Sequence, residues 1–402
     1  MNGKLSKPVW SILILLLVAP ASALANGFRL PNQDAAATAR GEAFVATADN
    51  PSAVYYNPAG ITQLRGHNLR VGSYNIYYKT KFTSGSGQSY ETKDAFSPVP
   101  HVYYTYMPEK LPLAFGLGMY SPYGLGVEWP QDTGFRTIGL ESRLTYITVN
   151  PVMAWKVNSH LSVAAGPTIN YSQTEFTQGL LPSPGPDYFK FKGDDTAFGF
   201  NAGIHWKPHD KVTFGFTYRS TTTMDYQGHT EATAFFPPRY DTSASLAFPQ
   251  DLVIGISYRP TPKWNLEFNL DWTDWSRLHS LAIQQPGVPP VILNWNASFL
   301  YAFGVTRDIG KDWRLSVGYV FNENSTPNAT YNPLLPDLDR HFASVGVGYH
   351  GKRFSFDAGY QFSYGPGHTV NGSTSSPPFF QSADGRYEWL SHAFIVSAGW
   401  RF

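Results

Sequence analysis

The sequence predicts an all-β fold, a transmembrane antiparallel β-barrel of about fourteen strands with a small N-terminal hatch plugging its lumen. Three observations carry this. From about His67 onward, apolar and polar residues alternate in short segments broken by turns. The connections switch regularly between tight turns and long polar loops. Aromatic residues make up 16% of the chain and charged residues only 15%, against ~25% in a soluble domain, so an ordinary soluble enzyme is a poor fit.

Residues 1–25 have the layout of a secretory signal. Lys4 and Lys7 precede an apolar run from Val9 to Val18, and Ala23-Leu24-Ala25 offers a cleavage site. The run is shorter than the ~20 residues of a spanning helix, so an N-terminal anchor is the weaker reading. The mature chain is expected to begin near Asn26. Residues 26–66 lack alternation, are rich in alanine and include the turn signal Asn57-Pro58-Ala59-Gly60. They are too apolar for a disordered tail and too long for a lead-in, which suits a plug inside the lumen.

Residues 67–402 form the predicted barrel. In Lys263–Trp275, Trp264, Leu266, Phe268, Leu270 and Trp272 share one face, and Asn265, Glu267, Asn269, Asp271 and Thr273 share the other. The same period recurs at Val212–Arg219, at Arg353–Tyr364 and at Phe394–Phe402. Lys207–Asp210, Arg259–Lys263, Ile309–Asp312 and His350–Arg353 are tight turns. The long polar or Pro/Gly-rich stretches Phe176–Asp195, Tyr226–Ala247, Arg277–Trp295, Asn324–Asp339 and Gly365–Tyr387 are the predicted outer loops. A soluble sandwich or lipocalin-like barrel also alternates. Strand length, Trp and Tyr near the segment ends and the terminal Phe402 favour the membrane form.

Four motifs, taken in order, resemble one family. They are Gly27-Phe28-Arg29-Leu30 with Asn57-Pro58-Ala59-Gly60; Gly116 to Gly126 with Trp129, Arg136 and Asn150-Pro151; Pro249 to Ser276, ending in Asp271-Trp272-Thr273-Asp274-Trp275-Ser276; and Thr326-Pro327 with Leu335 to Arg340. Together, behind a signal peptide, they are similar to the FadL family of outer-membrane transporters for long-chain fatty acids and aromatic hydrocarbons. The resemblance covers the whole mature chain. It implies a fourteen-stranded barrel with a hatch, an apolar groove among the outer loops, a tighter lumenal site near the mature N-terminus, and hatch-gated sideways release at a kinked third strand. Passive uptake of hydrophobic molecules, above all long-chain fatty acids, is the implied function.

On this reading Phe28, Leu30, Leu180, Leu181, Phe235, Phe236 and Arg136 are the expected ligand-binding residues, and Asn57, Pro58, Ala59, Gly116, Gly118 and Pro122 the expected gating residues. Each also has a plainer reading. Asn57-Pro58-Ala59 is turn chemistry, Phe28 and Leu30 suit simple packing, and the glycines suit a strand end. The loop leucines and phenylalanines suit loop packing or lipopolysaccharide contact, and Arg136 or Arg143 suits an ion pair. The expected partners are a hydrophobic small molecule, outer-membrane lipid and lipopolysaccharide, with the barrel a monomer. A net charge of +1 gives no footprint for nucleic acid.

An aromatic-hydrocarbon channel of the same family and a general porin are the rival functions. A porin requires an open, charged constriction, and its chain normally begins with a strand. No enzyme activity is expected. His279-Ser280 and Ser391-His392 are adjacent pairs whose side chains diverge on a strand. The absence of cysteine and the scattered His residues leave no metal-ligand spacing, so neither metal nor cofactor is expected.

Overall fold

The computed structural model describes residues 27–233, 238–373 and 381–402. The predicted signal segment and the loop residues Phe235 and Phe236 lie outside these. Fourteen antiparallel strands form the wall: β1 Gly66–Ser84, β2 Ala95–Met107, β3 in two pieces, Leu113–Tyr120 and Gly124–Glu128, β4 Glu141–Lys156, β5 Leu161–Gln178 and β6 Phe189–His209. β7 is Val212–Arg219 with Thr222–Ala232, and β8 is Arg239–Phe248 with Asp251–Tyr258. β9 Trp264–Thr273, β10 Ser298–Ile309, β11 Trp313–Asn322, β12 Arg340–His350, β13 Phe354–Val370 and β14 Gly385–Arg401 complete it. The ladder from Asn68↔Arg401 to Ser84↔Gly385 joins β1 to β14 and closes the barrel. No described helix is long and apolar enough to cross a membrane; the strands do so.

The wall is polar inside and apolar outside. On β9, Asn265, Glu267, Asn269, Asp271 and Thr273 are all buried, whereas Trp264 and Leu266 are exposed on the outer face. Phe198, 72% exposed, and Met153, Trp313 and Val317 belong to the same outer surface. This inversion of a soluble core suits a bilayer, which solvates apolar side chains while the ladder pairs the backbone along most of the wall.

Several predicted loops are largely strand. β5 runs to Gln178 and β6 starts at Phe189, which leaves 179–188 as the loop within Phe176–Asp195. Likewise β13 extends to Val370 and β14 begins at Gly385. Above the membrane neither face needs to be apolar, so the alternation signal fades while the ladder continues.

Residues 27–65 fill the lumen. α1, Ala35–Thr38, is capped by Asp34, whose carboxylate accepts from Ala36 N at 3.0 Å. α2, Ala53–Tyr56, leads into a 3-10 turn, Pro58–Gln63, capped by Asn57. This hatch is tied to strands all round the barrel. Asp34 pairs with Arg70 of β1, which also reaches Asp357 of β13 at 2.8 Å. Glu267 of β9 accepts from Ala46 N at 2.8 Å and Thr47 N at 3.1 Å, Ser397 of β14 accepts from Ala35 N at 3.0 Å, and Thr62 meets Ser162 of β5 at 2.8 Å. Inward-facing glycines admit the hatch backbone: a Cβ on Gly318 would lie 2.0 Å from Gly41 N.

Among the described strands the ladder breaks at several places, two of which open the wall's pairing toward the outer end. The β2–β3 ladder ends at Val102↔Met119, and Gly124–Glu128 pairs only with β4 among the described strands. The β6–β7 ladder stops at Asn201↔Arg219 and resumes at Asp194↔Gln227. There Ser220 substitutes for the missing ladder: its N–H donates to Phe200 O at 3.0 Å and its hydroxyl accepts from Phe200 N at 2.9 Å.

Candidate ligand-binding cavity and lateral opening

The outer half of the lumen holds a cavity of about 120 Å³. Its wall is almost wholly apolar. Phe28 and Trp295 form one end, Leu246, Leu281 and Leu293 the side, and Leu334, Leu335 and Trp389 the roof. Phe28 sits in an aromatic cage, edge-on to Trp275 at 4.8 Å and to Phe248 at 5.8 Å, with Tyr123 and Trp295 beyond. The loop Asn324–Asp339 folds inward to supply Leu334 and Leu335. Its Asp337 accepts hydrogen bonds from Gly27 N at 3.2 Å and Ser325 N at 2.7 Å, which ties the start of the hatch to the roof. Burial pushes the Asp337 carboxyl up to about 6.

Two arginines line this space: Arg143, exposed and paired with Glu141 at 2.8 Å, and Arg340. Arg340 is buried, donates to Pro336 O at 2.9 Å and lies 4.1 Å over the Trp389 ring. Its Nε and the nearby Trp295 Nε1 are buried donors without a hydrogen-bond partner. Such donors are costly unless something accepts from them. A carboxylate fits that need, and a hydrocarbon does not.

A second cavity of about 490 Å³ occupies the break in the wall, between Ala95–Val99 of β2 and Ser121–Glu128. The break is a window. Val102↔Met119 closes it below, and Lys93, which donates its N–H to Glu128 O at 2.9 Å and pairs with the Glu128 side chain, closes it above. Tyr78 of β1 lines both cavities. Its hydroxyl donates to Gly126 O at 2.6 Å and accepts from Gly126 N at 3.0 Å. One side chain thus replaces the absent β2 partner of Gly126.

The hatch start also occupies the kink. Leu30 N donates to Pro122 O at 2.8 Å and Gly124 N to Phe28 O at 3.2 Å, so Phe28–Leu30 adds a short strand beside Pro122–Gly124. Gln33 reinforces the kink by donating to Ser121 O at 2.8 Å. Phe28, Leu30 and Pro122 therefore come together. Gly116 and Gly118 lie lower, in the fully paired part of β3, where a Cβ would meet Val54 of the hatch at 2.7 and 2.9 Å.

The other candidates are spread out. Asn57 donates to Ile204 O of β6 at 3.0 Å and to Val45 O at 2.9 Å. Pro58 abuts Gly203, where a Cβ would come within 2.8 Å of its ring, and Ala59 is buried beside them. This contact lies well away from the kink. Arg136 binds the 179–188 loop: it donates to Asp187 at 2.9 Å, to Gly185 O and Asp187 O at 2.8 Å, and to Leu181 O. The hydrogen bond from Arg136 holds the Asp187 carboxyl down to about 2. Leu180 packs on the apolar cluster around the cavity, and Leu181 is exposed. Ser391 bonds Ser363 in the lumen at 2.6 Å, whereas His392 bonds the Tyr360 hydroxyl at 2.7 Å on the opposite side of the strand, so the two diverge.

Sequence reasoning missed Tyr78, Trp295, Arg340 and Trp389. A usable signal existed for some. The 277–295 loop carries Leu278, Leu281, Ile283, Leu293 and Trp295, and the 324–339 loop Leu334-Leu335, which is the mark of loops folded onto something.

The family model for outer membrane protein transport protein (OMPP1/FadL/TodX) matches residues 16–402. A long-chain fatty acid transport protein of Escherichia coli O6:H1 is 23% identical over 368 residues, covering 80% of this chain and 82% of the relative. The crystal structure of a Pseudomonas aeruginosa FadL homologue superposes with a TM-score of 0.84 at 21% identity, over 94% of this chain and 100% of that one. The Ralstonia pickettii toluene transporter TbuX gives 0.72 at 16% identity, over 93% and 100%. The hatch-plugged fourteen-stranded barrel and a family match running through to the last residue give one answer: the chain belongs to the OMPP1/FadL/TodX family of outer-membrane transport proteins.

Proposed function

We propose that this outer-membrane protein takes up long-chain fatty acids passively and releases them sideways into the bilayer. The ligand first meets the loop surface around Leu180 and Leu181, then enters the apolar cavity and displaces Phe28. The carrying observation is that Phe28 walls that cavity while the segment it begins, Phe28–Leu30, pairs with the Pro122–Gly124 kink. A ligand occupying the place of Phe28 would withdraw the backbone partner of the kink and loosen the window beside it. Asn57, Pro58 and Ala59 would hold the rest of the hatch against β6, so that only its start moves. No energy source is required, because burial in apolar surroundings drives each step down a gradient.

Arg340 favours a fatty acid over an uncharged aromatic hydrocarbon, because its unpartnered Nε and the Trp295 Nε1 can both donate to a carboxylate. Arg136, committed to Asp187 and to loop carbonyls, supports the loop in this scheme. The test is uptake of labelled oleate and toluene by cells with and without the protein, together with Arg340→Met. Protein-dependent oleate uptake that Arg340→Met lowers at least tenfold is expected, by the value of a charge-assisted pair. Toluene uptake alone would assign the aromatic ligand. Passage of small sugars, with neither compound dependent on the protein, would assign an open porin.

A further inference from the structure

We propose that the periplasmic rim is a binding surface for the anionic glycerophospholipid headgroups of the inner leaflet. Six tight turns, 107–113, 156–161, 207–212, 258–264, 307–314 and 350–354, lie at one end of the barrel with Arg65 and Arg401. These segments carry thirteen Lys and Arg against four Asp and Glu, in a sequence whose net charge is only +1. The excess is therefore a local device, balanced by acidic residues elsewhere.

The position of the charges identifies the partner. Exposed tryptophans at this end mark the plane where hydrocarbon gives way to headgroups: Trp155, Trp206, Trp264, Trp313 and Trp400. Four have a cation as chain neighbour at a strand end, Lys156, Lys207, Lys263 and Arg401, whereas Arg314 beside Trp313 turns inward to Asp49 of the hatch. Arg307 lies 5.0 Å over the Trp264 ring. A ring of cations at the edge of an aromatic girdle sits at the depth of lipid phosphates, whereas a soluble acidic partner would need only cations farther out.

The ring is also uncompensated. Among the described ion pairs, only Lys207, Arg259 and Arg314 of its cations meet a carboxylate. At the opposite end the pattern reverses. Lys79, Lys81, Lys93, Lys190 and Lys192 each pair with Glu or Asp, as does Arg386. The outer rim neutralises itself, and the periplasmic rim leaves its charge for something else. Near a membrane each such cation attracts anionic lipid several-fold, so a ring of them selects strongly.

The test reconstitutes the mature protein in nanodiscs of phosphatidylcholine with one quarter phosphatidylglycerol and reads retained lipid by native mass spectrometry. A variant with Lys156, Lys211, Lys263, Lys311, Lys352 and Arg353 all changed to Gln is compared. Heat-modifiable gel migration confirms that it has assembled. Enrichment of phosphatidylglycerol by about tenfold in the wild type, falling to within about twofold in the variant, is expected. Equal retention of both lipids by the wild type, or enrichment that survives in the variant, overturns the proposal. If the variant fails to assemble, the wild type at 0.5 M salt decides: enrichment must collapse, and its persistence is refuting.

Discussion

The window between β2 and β3 is held shut by so little that one oxygen atom tests its role. Tyr78→Phe removes the hydroxyl that serves both the N–H and the C=O of Gly126 and leaves the ring stacked on Trp389 at 5.2 Å. Two backbone groups left without partners in a dry site would cost about 1–3 kcal/mol each. The window is not dry, because its cavity of about 490 Å³ has room for water that can replace part of the loss. The lower end of the range therefore applies, about 1–2 kcal/mol in all, which shifts the open-to-closed ratio by about 5- to 30-fold. Barrel stability should hold, since the ladders of β1 to β2 and to β14 are untouched. The expected result is faster exchange of the Gly126 amide, an unchanged melting temperature and a several-fold faster initial rate of oleate uptake. Faster exchange with unaltered uptake would mean that the window opens but is not on the route. Unaltered exchange would mean that Tyr78 is no latch.

Phe28→Ala should raise oleate affinity by about a hundredfold or more, by removing an internal competitor that is worth about 3–5 kcal/mol in a packed site. Weaker binding by titration would make Phe28 a ligand contact instead. Gly318→Leu, which drives a side chain into Gly41, should displace the hatch from an assembled barrel and admit small sugars in a liposome-swelling assay. Gly215→Leu, aimed at Val45 O, should do the same, and sugar-tight barrels in both would show that the hatch is held some other way. The carboxyl of Asp337, raised to about 6, is protonated more readily in the folded chain than in the unfolded one. Its contribution is therefore fully present below about pH 4 and is lost as the pH rises through about 6. Amide exchange at Gly27–Leu30, corrected for intrinsic rates, should be slower at pH 5 than at pH 7.5. Asp337→Asn should remove that difference, and its survival in the variant would assign the effect to another group.

Much of this architecture is local and could be read residue by residue. Trp264 to Thr273 announces a two-faced strand because the bilayer imposes a period of two. Asn57-Pro58 announces a turn because proline fixes φ and asparagine caps its own backbone. What escaped depends on chain closure. Gly27 meets Asp337 across 310 residues, and Arg29 meets Asp271 across 242, and no short-range pattern encodes either pairing. Gly116 and Gly118 were expected at the kink because glycine weakens strands, yet their missing Cβ atoms make room for Val54, a residue visible there only once the hatch is in place. The kink falls three residues later, at Ser121–Tyr123, where the hatch start supplies the pairing that β2 does not.

The same contacts weigh the two exits against each other. Below Phe28 the lumen is closed by Arg29, which bonds Asp271 at 2.7 Å and lies 3.4 Å from Asp251, while Arg219 holds Asp251 at 2.6 Å. Further down, Arg40 and Glu267 and then Asp34, Arg70 and Asp357 continue the polar seal. An apolar chain passing straight to the periplasm must separate these buried pairs, at about 3–5 kcal/mol for each charge left alone, and must offer nothing in return. The proposed sideways route would break only the bonds of one tyrosine hydroxyl and of the Phe28–Leu30 bridge, and it would end in hydrocarbon rather than water. A fatty acid gains nothing by entering the periplasm as a monomer and keeps its apolar burial by entering the bilayer. Variants that remove the ion pairs two at a time, such as Arg29→Met with Asp271→Leu, should therefore leave oleate uptake intact, and a steep rise in uptake would show that the polar seal was the true barrier.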